Sequence, residues 1–465
     1  MKLHGVEFNL KQEAPLEPEY IPIKKWNDAF LKTAKEPYKV AVERNDNLVS
    51  VYDTYIHGTK EMFDADVLYV SKLAKMMLWA RGGFKLYLAG NKKVSEAVKE
   101  QFSLDGARAF DVDYMQMIYG EDFEVHVLDY EDCPAEKHKP VPVSNSLDGC
   151  RIGFDAGGSD RKVSAVIDGE TVYSEETVWF PKLNSDPNYH YEGIVDSLKT
   201  AASKMPRVDA IGISSAGIFI NNQTKVASLF LKVPEDIYEE TIGDIYIRAC
   251  EEVAPGKPFV VANDGDVSAL AGSMSLDTNK VLGIAMGTSE AVGYVDKDSN
   301  LTGYLNELAF APVDLQDKET AEQDEWSGDF GVGCKYFSQD AAIRLAERTS
   351  LEVDPKLSLA EKLKVIQGYM NEGNEEADKI FTSIGVYLGH TLAYYEDFYD
   401  IEDVILMGRV VSGKGGDRIL EVCQDVLKTE YPEIAKKLEV MLPNEKLRRV
   451  GQSMAAASLP SLDKE

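Results

Sequence analysis

No stretch of this chain approaches the roughly 18 consecutive apolar residues that a membrane-spanning helix needs. The opening MKLHGVEFNLKQE has no apolar signal core either, so no export segment is expected. Cysteine is scarce: Cys133, Cys150, Cys250, Cys334 and Cys423 are scattered and odd in number, which excludes a disulfide framework and fits a reducing compartment. These features predict a cytoplasmic protein. Positive charge is also in deficit, with 50 Lys and Arg against 79 Asp and Glu and a net charge of −29. That balance argues against nucleic acid or an anionic membrane as partner, because both require a basic surface. Internal repeats are absent. What the chain does have is material: 465 residues at 44% hydrophobic content suffice for two or three cored domains.

The densest signal lies at residues 151–169, RIGFDAGGSDRKVSAVIDG. Two strand-like runs flank a turn that holds an acid and two glycines. Without a Cβ in the way, the N–H groups from Gly157 and Gly158 to Ser159 can approach a phosphate. Asp155 can hold magnesium, which prefers carboxylate oxygen and water. Lys162 either reaches a phosphate or is a solvated lysine beside Arg161. This footprint of a nucleoside triphosphate site is not the Walker type, which needs a helix and a Gly-Lys-Ser/Thr ending. The plain alternative is an ordinary tight turn.

Three further segments follow in order. Residues 260–270, VVANDGDVSAL, read as a buried strand running through Asn263, Asp264 and Gly265 into a helix of small residues. Asp264 then sits at the carboxyl end of a strand, where ligands bind in open α/β sheets, and can act as a general base. Asn263 offers a donor and an acceptor to neighbouring hydroxyls. The alternative is a helix N-cap, and Asp266 competes for the role of base. Residues 281–295, VLGIAMGTSEAVGYV, form a second strand–turn–strand with Gly287, Thr288 and Ser289 at its tip, the last two able to donate hydroxyls to phosphate oxygens. Residues 404–417, VILMGRVVSGKGGD, read as a strand followed by a glycine-studded loop.

This succession resembles the superfamily that joins sugar kinases, heat-shock ATPases and actin. Within it, residues 150–460 are most similar to the ROK family of bacterial sugar kinases and repressors. IGISSAGIF at residues 211–219, LNELAFAPVD at residues 305–314, and the helix with Gly385 and Gly389 carry the likeness further. The resemblance implies an α/β, two-lobed actin-like ATPase (ribonuclease H-like) fold. It also implies an ATP- and magnesium-dependent kinase acting on a hexose-like hydroxyl, with glucose or an N-acetylated hexose as default acceptor. By the same resemblance Asp264 is the base and Asp155 the magnesium ligand. Gly157, Gly158, Ser159, Gly287, Thr288 and Ser289 hold phosphates, and Gly408, Arg409 and Gly413 form the adenosine loop. Asn263, Glu307 and Gly217 line the substrate side. Arg409 either stacks on adenine or blocks it.

The chain also departs from the family. The position of a sugar-contacting histidine reads Phe310, and the zinc-binding cysteine run is replaced by WSGDFGVGCKYFS at residues 326–338. One cysteine cannot supply a tetrahedral thiolate site, so no structural zinc is expected. A further sugar-contacting glutamate falls near Cys334. Either the acceptor differs from glucose or the sugar site has decayed. Trp326, Phe330, Tyr336 and Phe337 form either a stacking wall for a sugar ring or core. NSDPNYHY at residues 184–191 faces the sugar cleft or is a surface turn. The alternative function is a non-catalytic sugar or nucleotide sensor, and an actin-like scaffold is a third. A repressor is disfavoured, because the N-terminal region lacks a compact basic three-helix pattern.

The expected organisation is an additional small α/β domain at residues 1–130, a proline-rich linker at 131–149, a first lobe at 151–262 and a second at 263–445. A terminal helix at 446–460 is expected to return to the first lobe. The N-terminal domain, read as a hairpin over 38–56, a helix over 67–80 and a further βαβ pattern, could be a lid, a dimerisation surface or a specificity module. A structural or oligomerisation appendage, with a homodimer as the assembly, is the favoured reading. A helix is predicted from Pro234 to Val253.

Overall fold

The computed structural model describes residues 1–139, 143, 146–316, 320–444 and 451–462. The chain forms two compact units. One comprises Met1–Lys139, Ile284–Val292 and Tyr304–Leu442; the other comprises Pro140–Gly283, Gly293–Gly303 and Pro443–Glu465. The region expected as a separate N-terminal domain thus shares a unit with most of the expected second lobe. The expected boundary at 262/263 falls inside the other unit, because the helix after it packs there. The expected linker falls partly outside the described residues.

The N-terminal region begins with a short ribbon of β1 (Lys2–Leu3) and β2 (Val6–Glu7), then α1 (Ile23–Leu31). Strands β3 (Glu36–Arg44) and β4 (Leu48–Ile56) form a hairpin. Its turn places Asp46 and Asn47 at positive φ, a conformation that Asx residues tolerate. Helix α2 (Phe63–Arg81) follows, then β5 (Lys85–Ala89), α3 (Lys92–Gln101), α4 (Ala109–Tyr119) and β6 (Glu124–Leu128). The sheet order is β4-β3-β5-β6. α2 is buried along most of its length, and Lys75 on it pairs with Asp111 at 2.6 Å and Asp329 at 3.1 Å.

The second unit is built on β7 (Cys150–Ala156), β8 (Asp160–Ile167) and β9 (Glu170–Val178), followed by α5 (Pro187–Ala202) and β10 (Ala210–Ser215). A small hairpin, β11 (Ile218–Ile220) and β12 (Gln223–Val226), leads to α6 (Glu235–Ile242) and α7 (Ile245–Val253). Then come β13 (Phe259–Asn263) and α8 (Asp264–Leu276). The sheet order is β13-β10-β7-β8-β9, parallel across the first three strands and antiparallel across the last. β10 is buried at every position and β7 at every position but Asp155, as strands covered on both faces must be. The single helix predicted from Pro234 to Val253 is broken at Gly243 and Asp244. The carbonyl of Gly243 accepts from Thr224 N–H at 2.9 Å instead of continuing the helical ladder.

β14 (Val281–Met286) and β15 (Glu290–Val295) come next, then α9 (Gln339–Ala346), α10 (Leu359–Asn371) and α11 (Glu375–Tyr395). β16 (Asp403–Met407), α12 (Gly413–Glu430) and β17 (Glu439–Met441) complete a sheet of order β15-β14-β16-β17. The glycine-studded loop expected after β16 is shorter than the pattern suggested, since Gly413, Gly415 and Gly416 lie in the first turn of α12. They allow close packing: a Cβ on Gly415 would stand 2.6 Å from the Phe381 ring.

Helix α13 (Gln452–Ala457) lies on β7, β10 and α8. Gly153 and Gly212 make the approach possible, because a Cβ on either would overlap a backbone carbonyl of α13, that of Ser453 or of Ala456. Residues 446–450 of the expected terminal helix lie outside the described residues.

Candidate active site

The site residues read from the sequence fall into separate constellations, each within one unit. In the unit built on β7, the parallel pairing sets Asp155 opposite Ser214 and Ser215 opposite Asn263. Asp155 on β7 and Asp264, the first residue after β13, therefore lie at the same, carboxyl end of the sheet, with β10 between their strands. Strands lie about 4.8 Å apart, so two steps across the sheet span about 10 Å.

Both acids are held above the ordinary carboxylate range. Burial pushes Asp155 up to about 6, against the hydrogen bond from Ser214, while the charge of Asp264 pushes the same way. Burial also raises Asp264, opposed by N–H donors at the start of α8 and by the Lys182 ammonium. Asn263 caps that helix: its Oδ1 accepts from Gly265 N–H at 2.8 Å, and its Nδ2 donates to the Gly217 carbonyl at 2.7 Å. The capping alternative is thus correct for Asn263, and the cap aims Asp264 from the first helical turn. Asp266 is otherwise engaged, accepting from Tyr294 N–H at 3.2 Å.

The turn after β7 is close-packed at its glycines. A Cβ on Gly157 would lie 2.7 Å from the Asp160 carbonyl, and one on Gly158 would lie 3.0 Å from Lys182 Cε. Lys162 pairs with Asp155 in register and lies 3.6 Å from Asp160 and 3.7 Å from Glu176, so it is partly neutralised. Ser159 donates to Asp160. Sequence reasoning missed Lys182, an exposed lysine that touches the glycine turn and acts on Asp264. It also missed Gln452, whose Nε2 reaches Ser214 Oγ at 3.1 Å and the Asp264 carbonyl at 3.0 Å. No motif flags either, because both arrive from segments distant in sequence.

In the other unit, Gly287 N–H donates to the Ser289 carbonyl at 3.0 Å, and Thr288 and Ser289 are exposed at the tip. Gly408, at φ +96°, crosses so close to Met286 that a Cβ would overlap its carbonyl. Val410 N–H donates to that same carbonyl at 3.1 Å. The structure thus brings together the second turn and the start of the candidate adenosine loop. Arg409 is exposed, its carbonyl taken by Gln367, and Gly413 is 3.7 Å (from its Cβ position) from Asn371.

Glu307 lies elsewhere in that unit. Its N–H donates to the Trp79 carbonyl at 3.0 Å, and Asn306 N–H donates to the Ala80 carbonyl at 3.2 Å, so helix α2 carries this segment. Phe310 belongs to an aromatic cluster, with ring centroids 4.5 Å from Trp79 and 5.4 Å from Phe110. Of the four aromatics offered as a stacking wall, Tyr336 and Phe337 are core, and only Trp326 stands well exposed. The wall reading is corrected accordingly. Among the described residues no group of three or more His, Cys, Asp or Glu is placed to hold a metal ion.

Glu290, just after the second turn, is a buried acid with Oε2 unbonded; Oε1 accepts from Tyr395 at 3.3 Å. Burial raises its carboxyl to about 8, and Glu307 adds to the shift. The folded state prefers the proton, so no cost arises below the ordinary carboxylate pKa. The cost grows as pH rises and is complete above about 8. Glu290→Gln is expected to stabilise the protein by about 2 kcal/mol at pH 8.5 and by much less at pH 5. Thermal melts across that range check it, and a gain that narrowed with pH would count against it.

No family model matches the chain, and no curated protein matches it. Solved structures do. The α/β fold is similar to that of solved ROK proteins. A ROK hexokinase from Thermus thermophilus aligns with a TM-score of 0.51 and 17% identity, covering 67% of this chain and 97% of that one. A ROK family transcriptional regulator homologous to the E. coli MLC protein aligns with a TM-score of 0.50 and 16% identity, covering 67% of this chain and 79% of that one. Among the described residues no helix is long and apolar enough to cross a membrane.

Proposed function

We propose that the chain is an ATP- and magnesium-dependent carbohydrate kinase with Asp264 as general base. The observation that carries this reading is the pair of buried carboxyls, Asp155 and Asp264, at the carboxyl end of parallel strands beside a close-packed glycine turn. The residues fit the groups the reaction needs. Asp155, raised by burial and by a neighbouring acid, gains from a divalent cation, and the turn leaves its N–H groups clear for phosphate. Bound magnesium would supply neutralisation of phosphate charge.

Asp264 accepts the proton of the acceptor hydroxyl as that oxygen bonds to the γ-phosphorus and the bond to the β-phosphate oxygen breaks. Burial, which raises its pKa, makes it a stronger base than an exposed aspartate. Lys182, beside both the turn and Asp264, offsets developing phosphate charge. Asn263 and Gly217 are the acceptor-binding residues assigned within the unit built on β7, and Glu307 is the one assigned within the other unit. On this reading Gly157, Gly158, Ser159 and Lys162 of the unit built on β7 serve the phosphates of ATP, and Gly287, Thr288, Ser289, Gly408, Arg409 and Gly413 are the nucleotide-binding residues assigned within the other unit.

A second reading is a binding-only sugar or nucleotide sensor. It is favoured by Phe310, which stands in for a sugar-contacting histidine and is used instead in aromatic packing. A coupled ADP-release assay with Mg-ATP across hexoses, acetylamino-hexoses and sugar acids separates the two. Turnover on one sugar supports the kinase; no turnover on any, with ATP still raising the melting temperature, supports the sensor.

The kinase reading carries a pH signature. Asp264 must be ionised to accept the proton, and burial raises its pKa, so kcat/KM at saturating magnesium should begin to fall at a pH above the range of exposed carboxylates. A profile flat down to pH 4.5 would count against Asp264 as the base.

A further inference from the structure

Arg44 ends strand β3 and Arg81 ends helix α2, both in the unit that holds Glu307. Arg44 is 1% exposed. Its Nη1 donates to Ser50 Oγ at 3.1 Å, but its Nε and Nη2 have no partner. Arg81 donates Nη2 to the Phe398 carbonyl and leaves Nη1 buried and unbonded. Among the described residues neither guanidinium forms an ion pair within 4.0 Å. A buried guanidinium beside a half-buried one, with no acid paired to either, is costly in any protein and unexpected in one of net charge −29. Burial, with the repulsion of Arg81 among the lesser causes, holds the Arg44 guanidinium below its ordinary pKa.

What covers the pair is aromatic. The Tyr304 ring lies 5.0 Å from the Arg44 guanidinium carbon and 4.1 Å from that of Arg81, which also lies 4.8 Å from Tyr399. Such contacts offset part of the burial cost but accept no N–H in the guanidinium plane. Tyr304 is only half-buried, and Gly303 (φ +64°) and Asn306 (φ +54°) flank it, so it stands on a segment already bent at both ends.

We propose that Arg44 and Arg81 form a binding site for a small oxyanion, phosphate or carboxylate, that enters by displacing the Tyr304 ring. The three free N–H-bearing nitrogens supply the fork that such oxygens match. Arg81 also receives Leu305 N–H on its carbonyl at 3.3 Å, so an occupant holds the segment that leads to Glu307. The site stands apart from the kinase reading and survives its failure.

Calorimetric titration and thermal melting of the full chain with inorganic phosphate, glucose 6-phosphate and glucuronate test it. At least one should bind and raise the melting temperature. Arg44→Met should weaken that binding at least about tenfold while melting, without anion, no lower than the wild type, because a buried cation with no paired acid has been removed. Should the Met variant fail to fold, Arg44→Lys keeps the charge without the fork and should still bind measurably weaker. Equal affinity for phosphate and glucose 6-phosphate marks free phosphate as the ligand, tighter glucose 6-phosphate marks a phosphorylated sugar, and glucuronate alone marks a carboxylate. No binding of any of the three, or undiminished binding by the Arg44 variants, overturns the proposal.

Discussion

Asp264→Asn should lower kcat by about 10²–10⁴-fold and leave the melting temperature unchanged or higher. The amide keeps the size of the side chain and the cap made by Asn263, but it cannot take a proton. Burial already makes ionised Asp264 costly, so the neutral isostere relieves the fold rather than straining it. Acceptor KM should move little, since the loss is confined to the transition state. Asp266→Ala provides the contrast: it removes the acceptor of Tyr294 N–H and should cost stability before it costs turnover. Steady-state kinetics and melts on both variants decide the matter. An Asp264→Asn enzyme within tenfold of wild type would falsify the base assignment.

The second large effect lies far from any substrate. Gly153→Ala and Gly212→Ala are each expected to destabilise the protein by about 3–5 kcal/mol. At both positions the new methyl group meets backbone of α13, which cannot rotate away as a side chain would. The helix must lift off β7 and β10 and take with it the bonds from Gln452 to Ser214 and Asp264, and that between Ser164 and Ser453. Denaturant melts should show the loss, and kcat should fall in parallel, because the lifted helix no longer braces the strand ends that carry both acids. Variants of wild-type stability would mean that α13 does not pack on these strands.

The order of motifs made much of the fold readable. Glycine turns, the Asn-Asp pair and the strand periods at residues 151–167 and 260–263 are local signals, and each resides in an element of the expected type. Signals that depend on a distant partner were not readable. Gly243 interrupts a helix only because Thr224 claims its carbonyl. Phe310 reads as a lost sugar contact, whereas Trp79 and Phe110, some 200 residues earlier, give it a hydrophobic site. Lys182, Gln452 and the Arg44–Arg81 pair carry no motif at all. They are defined by what lies beside them after folding, and a single sequence does not encode that adjacency in any period.

The docking of α13 also sets a schedule. Arg151 donates to the carbonyl of Ala457, 306 residues downstream. A ribosome adding about 5–20 residues per second needs roughly 15–60 seconds to cover that distance. For the part of that interval after β10 is made, β7 and β10 expose a glycine-paved lane with nothing yet made to fill it. The nascent chain therefore offers a sticky surface until α13 is made, and the unit that carries Asp155 and Asp264 is closed only by residues made long after its first strand.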